Sequence, residues 1–149
     1  MEVFGNMTNI LLVDDDVDFV ASNKMALEQE GFTVLAAYNG KDAMKVVEST
    51  DIDAAVLDVM MDTPDEGMVL ARQLRKNPRT ERIPLILLTS LNDVNREAGY
   101  KIRFSDMDRD EVWLPINRYM DKPVKSKDLS AEIRKLLTEA EQGGPNTPK

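Results

Sequence analysis

Short apolar runs punctuate this chain, and each ends abruptly in polar residues. Ile10-Leu11-Leu12-Val13 runs into Asp14-Asp15-Asp16, Ala54-Ala55-Val56-Leu57 into Asp58, and Leu85-Ile86-Leu87-Leu88 into Thr89-Ser90; a weaker run over Ile116 to Met120 leads into Asp121-Lys122-Pro123. Unbroken apolar runs of this length read as strands buried on both faces. The pattern predicts strands over Asn9–Asp14, Thr33–Ala37, Ala54–Asp58, Ile83–Leu88 and Ile116–Met120. Between them, helical spacing predicts a helix from about Asp16 to Glu30 with a stripe of Val17, Val20, Ala21 and Leu27, broken awkwardly by Lys24. Further helices are predicted over Lys41–Glu48, packing Ala43, Val46 and Val47, and from about Glu66 to Lys76. The last helix, capped by Ser126, carries the clearest stripe: Leu129, Ile133, Leu136, Leu137 and Ala140. Gly31, Asn39-Gly40, Asn77-Pro78 and Gly143-Gly144-Pro145 mark the breaks between elements.

Strands alternating with helices imply an α/β fold, a doubly wound parallel sheet with helices on both faces. In such a sheet all strands deliver their polar ends to one edge, where open α/β folds place their sites. Asp14, Asp15, Asp16 and Asp58 would then meet Thr89 and Lys122 at that edge. Clustered carboxylates repel one another and invite a divalent cation, while a lysine and a hydroxyl beside them suit a phosphoryl group.

Composition narrows the chemistry further. The 149 residues fit one domain, and they contain neither cysteine nor histidine. Thiolate nucleophiles, Ser-His-Asp triads and most zinc sites are thereby excluded. The net charge of -8 and pI near 4.6 disfavour a direct nucleic-acid partner. The opening residues do not form a signal peptide and no apolar stretch spans a bilayer, so the cytoplasm is expected, with no membrane partner. A flexible leader over 1–8, a domain over 9–141 and a disordered tail over 142–149 complete the expected organisation, with no output domain in the text.

Four segments together, Ile10–Asp16, Ala55–Met61, Leu87–Ser90 and Tyr119–Pro123, resemble the receiver domain of two-component response regulators in order, spacing and strand position. The resemblance runs across roughly residues 8 to 140. It implies a flavodoxin-like five-stranded sheet of order 2-1-3-4-5. It implies that Asp58 is the phosphoacceptor, attacking a phosphohistidine on a sensor histidine kinase or histidine phosphotransfer protein. Asp14, Asp15, Asp58 and the backbone carbonyl of Met60 would hold Mg²⁺, or Mn²⁺ in its place. Lys122 and Thr89 would meet the phosphoryl oxygens, Ser90 would leave the phosphate accessible, and Tyr119 would serve as the aromatic switch beside Thr89. The Lys122-Pro123 bond would be cis, as in the family. The output partner is unnamed by the sequence.

Each residue also has a plainer reading. Asp58 could cap the following turn, Asp16 alone is assigned as the cap of the first helix, and Tyr119 could be a half-buried aromatic on an edge strand. The sequence departs from the family's pattern twice. Asp62 stands where a proline is usual, in an acidic loop about one residue longer, with Pro64 later and Gly67 after it. The segment from Thr89 to Lys122 is long and irregular, with one short helix over Asn92–Ala98; Tyr100, Phe104 and Trp113 in the 91–115 insertion form either a partner surface or a local plug. Arg72, Arg75, Lys76, Arg79 and Arg82 read as a solvated helix face, or alternatively as a dock for an acidic partner.

Three rival functions are weighed on residues. A binding module independent of phosphorylation would act through the insertion, but the intact acidic pair and lysine oppose it. A Mg²⁺-dependent phosphatase with an aspartate nucleophile usually carries a second aspartate two residues on, where this chain has Met60. Nucleotide binding lacks its glycine-rich turn, because Asp14-Asp15-Asp16 stands there.

Overall fold

The structure is a computed structural model, and it describes residues 8–59, 61, 66–89 and 116–141. The elements are β1 (Asn9–Val13), α1 (Val17–Gln29), β2 (Thr33–Ala37), α2 (Gly40–Ser49), β3 (Ala54–Asp58), α3 (Glu66–Lys76), β4 (Leu85–Thr89), β5 (Arg118–Asp121) and α4 (Ser126–Glu141). All four strand pairings are parallel, and the order is β2-β1-β3-β4-β5. The expected α/β class, strand order and helix count among the described residues are therefore present. No helix among these residues is long and apolar enough to cross a membrane.

Strand periodicity splits the core into two layers. Leu11, Val13, Ala55, Leu57, Leu85 and Leu87 face α2 and α3, whereas Ile10, Leu12, Val56, Ile86 and Leu88 face α1 and α4. Because both faces are covered, β1, β3 and β4 have almost no exposed residue, which explains their continuous apolar text.

Several boundaries and faces differ from the expectation. Thr8, assigned to the leader, is buried, and its carbonyl accepts from the Thr33 N–H. β4 starts at Leu85 rather than Ile83, because Ile83 closes a turn onto the Thr80 carbonyl. β5 starts at Arg118 because the side chain of Asn117 takes the Leu85 N–H at 2.8 Å, closing the ladder. On α1 the buried face is Val20, Asn23 and Leu27, while Val17 is 59% exposed and Ala21 is also exposed. Asn23 is tolerated there because its amide donates to the Phe19 carbonyl and its side-chain oxygen accepts from the Ser126 hydroxyl at 3.0 Å. Ser126 is thus the first residue of α4 and ties α4 to α1 instead of capping its own helix. Ala140 is exposed, so the buried stripe of α4 ends at Leu137.

The basic cluster is only partly a solvated face: Lys76, Arg79 and Arg82 are exposed, whereas Arg72 and Arg75 are half-buried. Arg75 Nη1 donates to the carbonyls of Ile83 (2.6 Å) and Glu81 (3.0 Å), and its Nη2 to Asn117 Oδ1 (2.9 Å). Burial lowers its pKa to about 10, so it stays charged at neutral pH. Arg79 donates to the Val47 carbonyl and pairs with Asp51. Arg75 therefore pins α3, the start of β4 and the entry to β5 together. Arg75→Leu is expected to lower stability by about 2–4 kcal/mol, since it strands carbonyls that a charged donor now satisfies. Urea denaturation checks this, and a loss below about 1 kcal/mol would contradict it.

Candidate functional site

Parallel strands bring the polar strand ends to one edge. Asp14 follows β1, and its backbone N–H still bonds the Ala37 carbonyl of β2. Asp58 is the last residue of β3, Thr89 of β4 and Asp121 of β5. Asp14 is fully buried and Asp58 is 3% exposed, whereas Asp15 points to solvent. One oxygen from each of these three carboxylates lies within 4.8 Å of the others. Asp16 caps α1 as expected, its Oδ1 accepting from the Phe19 N–H at 3.1 Å.

Lys122 is the countercharge. Its Nζ donates to Asp14 Oδ2 at 2.9 Å and lies 3.8 Å from Asp58 Oδ1. The other Asp14 oxygen accepts from the Asp16 N–H at 2.9 Å. The Lys122 N–H bonds the Thr89 carbonyl, and the Lys122-Pro123 bond is cis, as expected. These contacts fix the charges. Burial first, then the Asp14 charge and hydrogen bond and, least, the Asp15 charge push the Asp58 carboxyl up from 3.8 to about 7, against the pull of Lys122. Burial disfavours the Lys122 ammonium, but the Asp14 hydrogen bond and the charges of Asp58, Asp14 and Asp16 outweigh it and raise its pKa.

Among the described residues, three carboxylates against one lysine leave surplus negative charge, and the side-chain metal donors of this group are all hard oxygens. That set fits Mg²⁺ and excludes soft metals. Met60 and Ser90, the other two expected contributors, lie outside the described residues, as do Asp62, Pro64 and the 91–115 insertion.

Thr89 reaches the site edge, but its hydroxyl donates to Asp121 Oδ1 at 3.0 Å. The sequence reading assigned Asp121 no role, although it stands inside the Tyr119–Pro123 motif. Tyr119 pairs in register with Leu87 and is half-buried against the α2–α3 layer.

Gly67 was read only as a loop marker, yet it sets the position of Asp58. Its N–H bonds the Val59 carbonyl, and a Cβ there would stand 2.1 Å from the Asp58 carbonyl oxygen and 2.6 Å from Val59 Cα. Both are backbone atoms, so neither can rotate away. Gly67→Ala should therefore push α3 off β3 and cost about 3 kcal/mol. An unchanged denaturation midpoint would overturn this.

Comparison with known proteins agrees with this edge. The family model for the response regulator receiver domain matches residues 10–134. The transcriptional regulatory protein CpxR of Escherichia coli (strain K12) is 33% identical over 132 residues, covering 88% of this chain and 50% of CpxR. The response regulator MprA of Mycobacterium ulcerans is 36% identical over 129 residues, covering 86% of this chain and 49% of MprA. A receiver domain protein (CheY-like) from Methanospirillum hungatei JF-1 superposes with a TM-score of 0.74 at 25% identity, covering 93% of this chain and all of that one. The chain thus spans about half the length of the curated relatives it matches. Some of those relatives are named transcriptional regulators, so the expectation of no nucleic-acid partner rests on this chain's net charge of -8 alone and does not extend to the relatives. A parallel sheet of the right order, an acidic edge with its lysine, and a family match over most of the sequence lead to one assignment: the chain belongs to the response regulator receiver domain family, the signalling domains of two-component systems.

Proposed function

We propose that this chain accepts a phosphoryl group on Asp58 from a phosphohistidine of a sensor histidine kinase or histidine phosphotransfer protein, and signals through protein contacts. The observation that carries the reading is the packing of the Asp14, Asp15 and Asp58 carboxylates within 4.8 Å, with Lys122 bridging Asp14 and Asp58. The donor histidine lies outside these 149 residues, which contain none.

In the proposed reaction an Asp58 carboxylate oxygen attacks phosphorus. The P–N bond to the partner's imidazole breaks, and the ring nitrogen keeps the bonding pair. Little covalent work falls to the protein; positioning and charge carry the catalysis. Mg²⁺, held by Asp14, Asp15, Asp58 and the Met60 carbonyl, would offset charge on the attacking and transferring oxygens. Lys122 is near enough to Asp58 to meet the phosphoryl oxygens as a mobile point charge. The Thr89 hydroxyl would exchange Asp121 for the phosphoryl group, and Tyr119, two residues from Asp121 on the neighbouring strand, would report that exchange. Hydrolysis of the acyl phosphate would reset the site, in the cytoplasm.

The test is intact mass after incubation with phosphoramidate. The reading predicts a single phosphoryl adduct that requires Mg²⁺ and is absent from Asp58→Asn. An adduct that forms without a divalent cation, or that survives the substitution, contradicts it.

A further inference from the structure

Phe19 is the third residue of α1. Phe19 lies on the Lys122 side of the helix, and the Lys122 Nζ sits 4.5 Å from the centroid of its ring. An ammonium at that distance from an aromatic face is held by the ring's quadrupole.

We infer that Phe19 is a positioning residue for Lys122, a cation-π rest that keeps the ammonium aimed at the acidic edge while the carboxylates are engaged elsewhere. The inference rests on the phosphoacceptor reading above. Lysine has a flexible stem and a single charged head, so its direction must come from its contacts. Two of the contacts here are Asp14 and Asp58, which the proposed function commits to the cation and the phosphoryl group. The ring is consumed by neither.

Phe19, which carries the ring, is anchored through its backbone. Its backbone N–H is capped by Asp16, directly after the acidic pair. Its carbonyl accepts from the Asn23 amide, and Asn23 in turn accepts from Ser126, shortly after Lys122-Pro123. Phe19 is half-buried and packs against the core layer between the sheet, α1 and α4. Phe19, in the first turn of α1, is therefore tied to Asp16 on one side and, through Asn23 and Ser126, to the segment that follows Lys122 on the other.

The experiment uses the full chain with Mg²⁺ and phosphoramidate. Phosphorylation rates are measured for wild type, Phe19→Leu, Phe19→Tyr and Lys122→Met, and for Phe19→Leu in the Lys122→Met background. Phe19→Leu should slow phosphorylation by about three- to ten-fold, with Mg²⁺ affinity by calorimetry unchanged. Phe19→Tyr, which keeps a ring, should retain the wild-type rate. In the Lys122→Met background the Phe19→Leu change should have no further effect, because the cation it positions is gone. Equal slowing in both backgrounds would make Phe19 a packing residue and overturn the inference. So would a Phe19→Leu rate equal to wild type. Absence of any adduct in wild type would instead remove the phosphoacceptor reading beneath it.

Discussion

Lys122→Met is expected to slow phosphorylation of Asp58 by a factor of about 10² or more. Removing one preorganised charge from a developing transition state typically costs about 3–4 kcal/mol, and among the described residues Lys122 is the cation that faces the three carboxylates. The substitution also removes the influence that lowers the Asp58 pKa, so a larger fraction of Asp58 is protonated and unable to attack at neutral pH. Raising the pH should therefore recover part of the lost rate, and saturating Mg²⁺ should recover part as well. Lys122→Arg should retain more activity than Lys122→Met while falling short of wild type, because a planar guanidinium keeps the charge but not the compact head. Rates from time-resolved intact mass decide the matter. A Lys122→Met variant phosphorylated within three-fold of wild type would show that Lys122 is only a structural counterion.

The second large effect concerns stability. In metal-free buffer at pH 8, Asp58→Asn should be more stable than wild type by between about 2 and 4 kcal/mol, and the gap should close below pH 4. A carboxyl whose pKa rises from 3.8 unfolded to about 7 folded costs the fold at most about 4 kcal/mol once ionised. The folded state holds that proton more tightly than the unfolded chain does. Its contribution is thus fully favourable below pH 3.8 and is lost as pH rises through 7. Asparagine has no charge to lose, so the difference between the two proteins isolates Asp58 from the other carboxylates. Mg²⁺ should narrow the gap by stabilising wild type through binding to the folded state alone. Urea midpoints at pH 4, 6 and 8, with and without Mg²⁺, measure all of this. A wild type that outlasts Asp58→Asn at pH 8 without metal would contradict the electrostatics of the site.

The strands were legible because burial on both faces leaves continuous apolar text, and Asp14, Asp58, Thr89 and Lys122 were legible because each follows such a run. The order of the strands came from the family resemblance, since no local pattern encodes which strand lies beside which. Misreadings arose where a partner distant in sequence decides burial. The predicted stripe of α1 did not include Asn23, which is buried there because Ser126, 103 residues on, satisfies it inside. Val17 looked like a core residue, yet at the first position of α1 it is left largely in solvent. Arg75 fell on a basic helical stripe, and only the fold reveals the carbonyls of residues 81 and 83 waiting beneath it. The Phe19–Lys122 contact and the backbone approach at Gly67 are of the same kind: ordinary residue types whose role is set by what the tertiary structure brings against them.

Chemical mapping locates the phosphoryl group on a single side chain. The chain is phosphorylated with phosphoramidate and Mg²⁺, reduced with borohydride, which converts an aspartyl phosphate to homoserine, and mapped by peptide mass spectrometry. Homoserine at position 58 alone is the predicted result. Homoserine at Asp14 or Asp15, or a phosphoryl group left on a hydroxyl such as that of Thr89, would contradict the assignment of Asp58 as the acceptor.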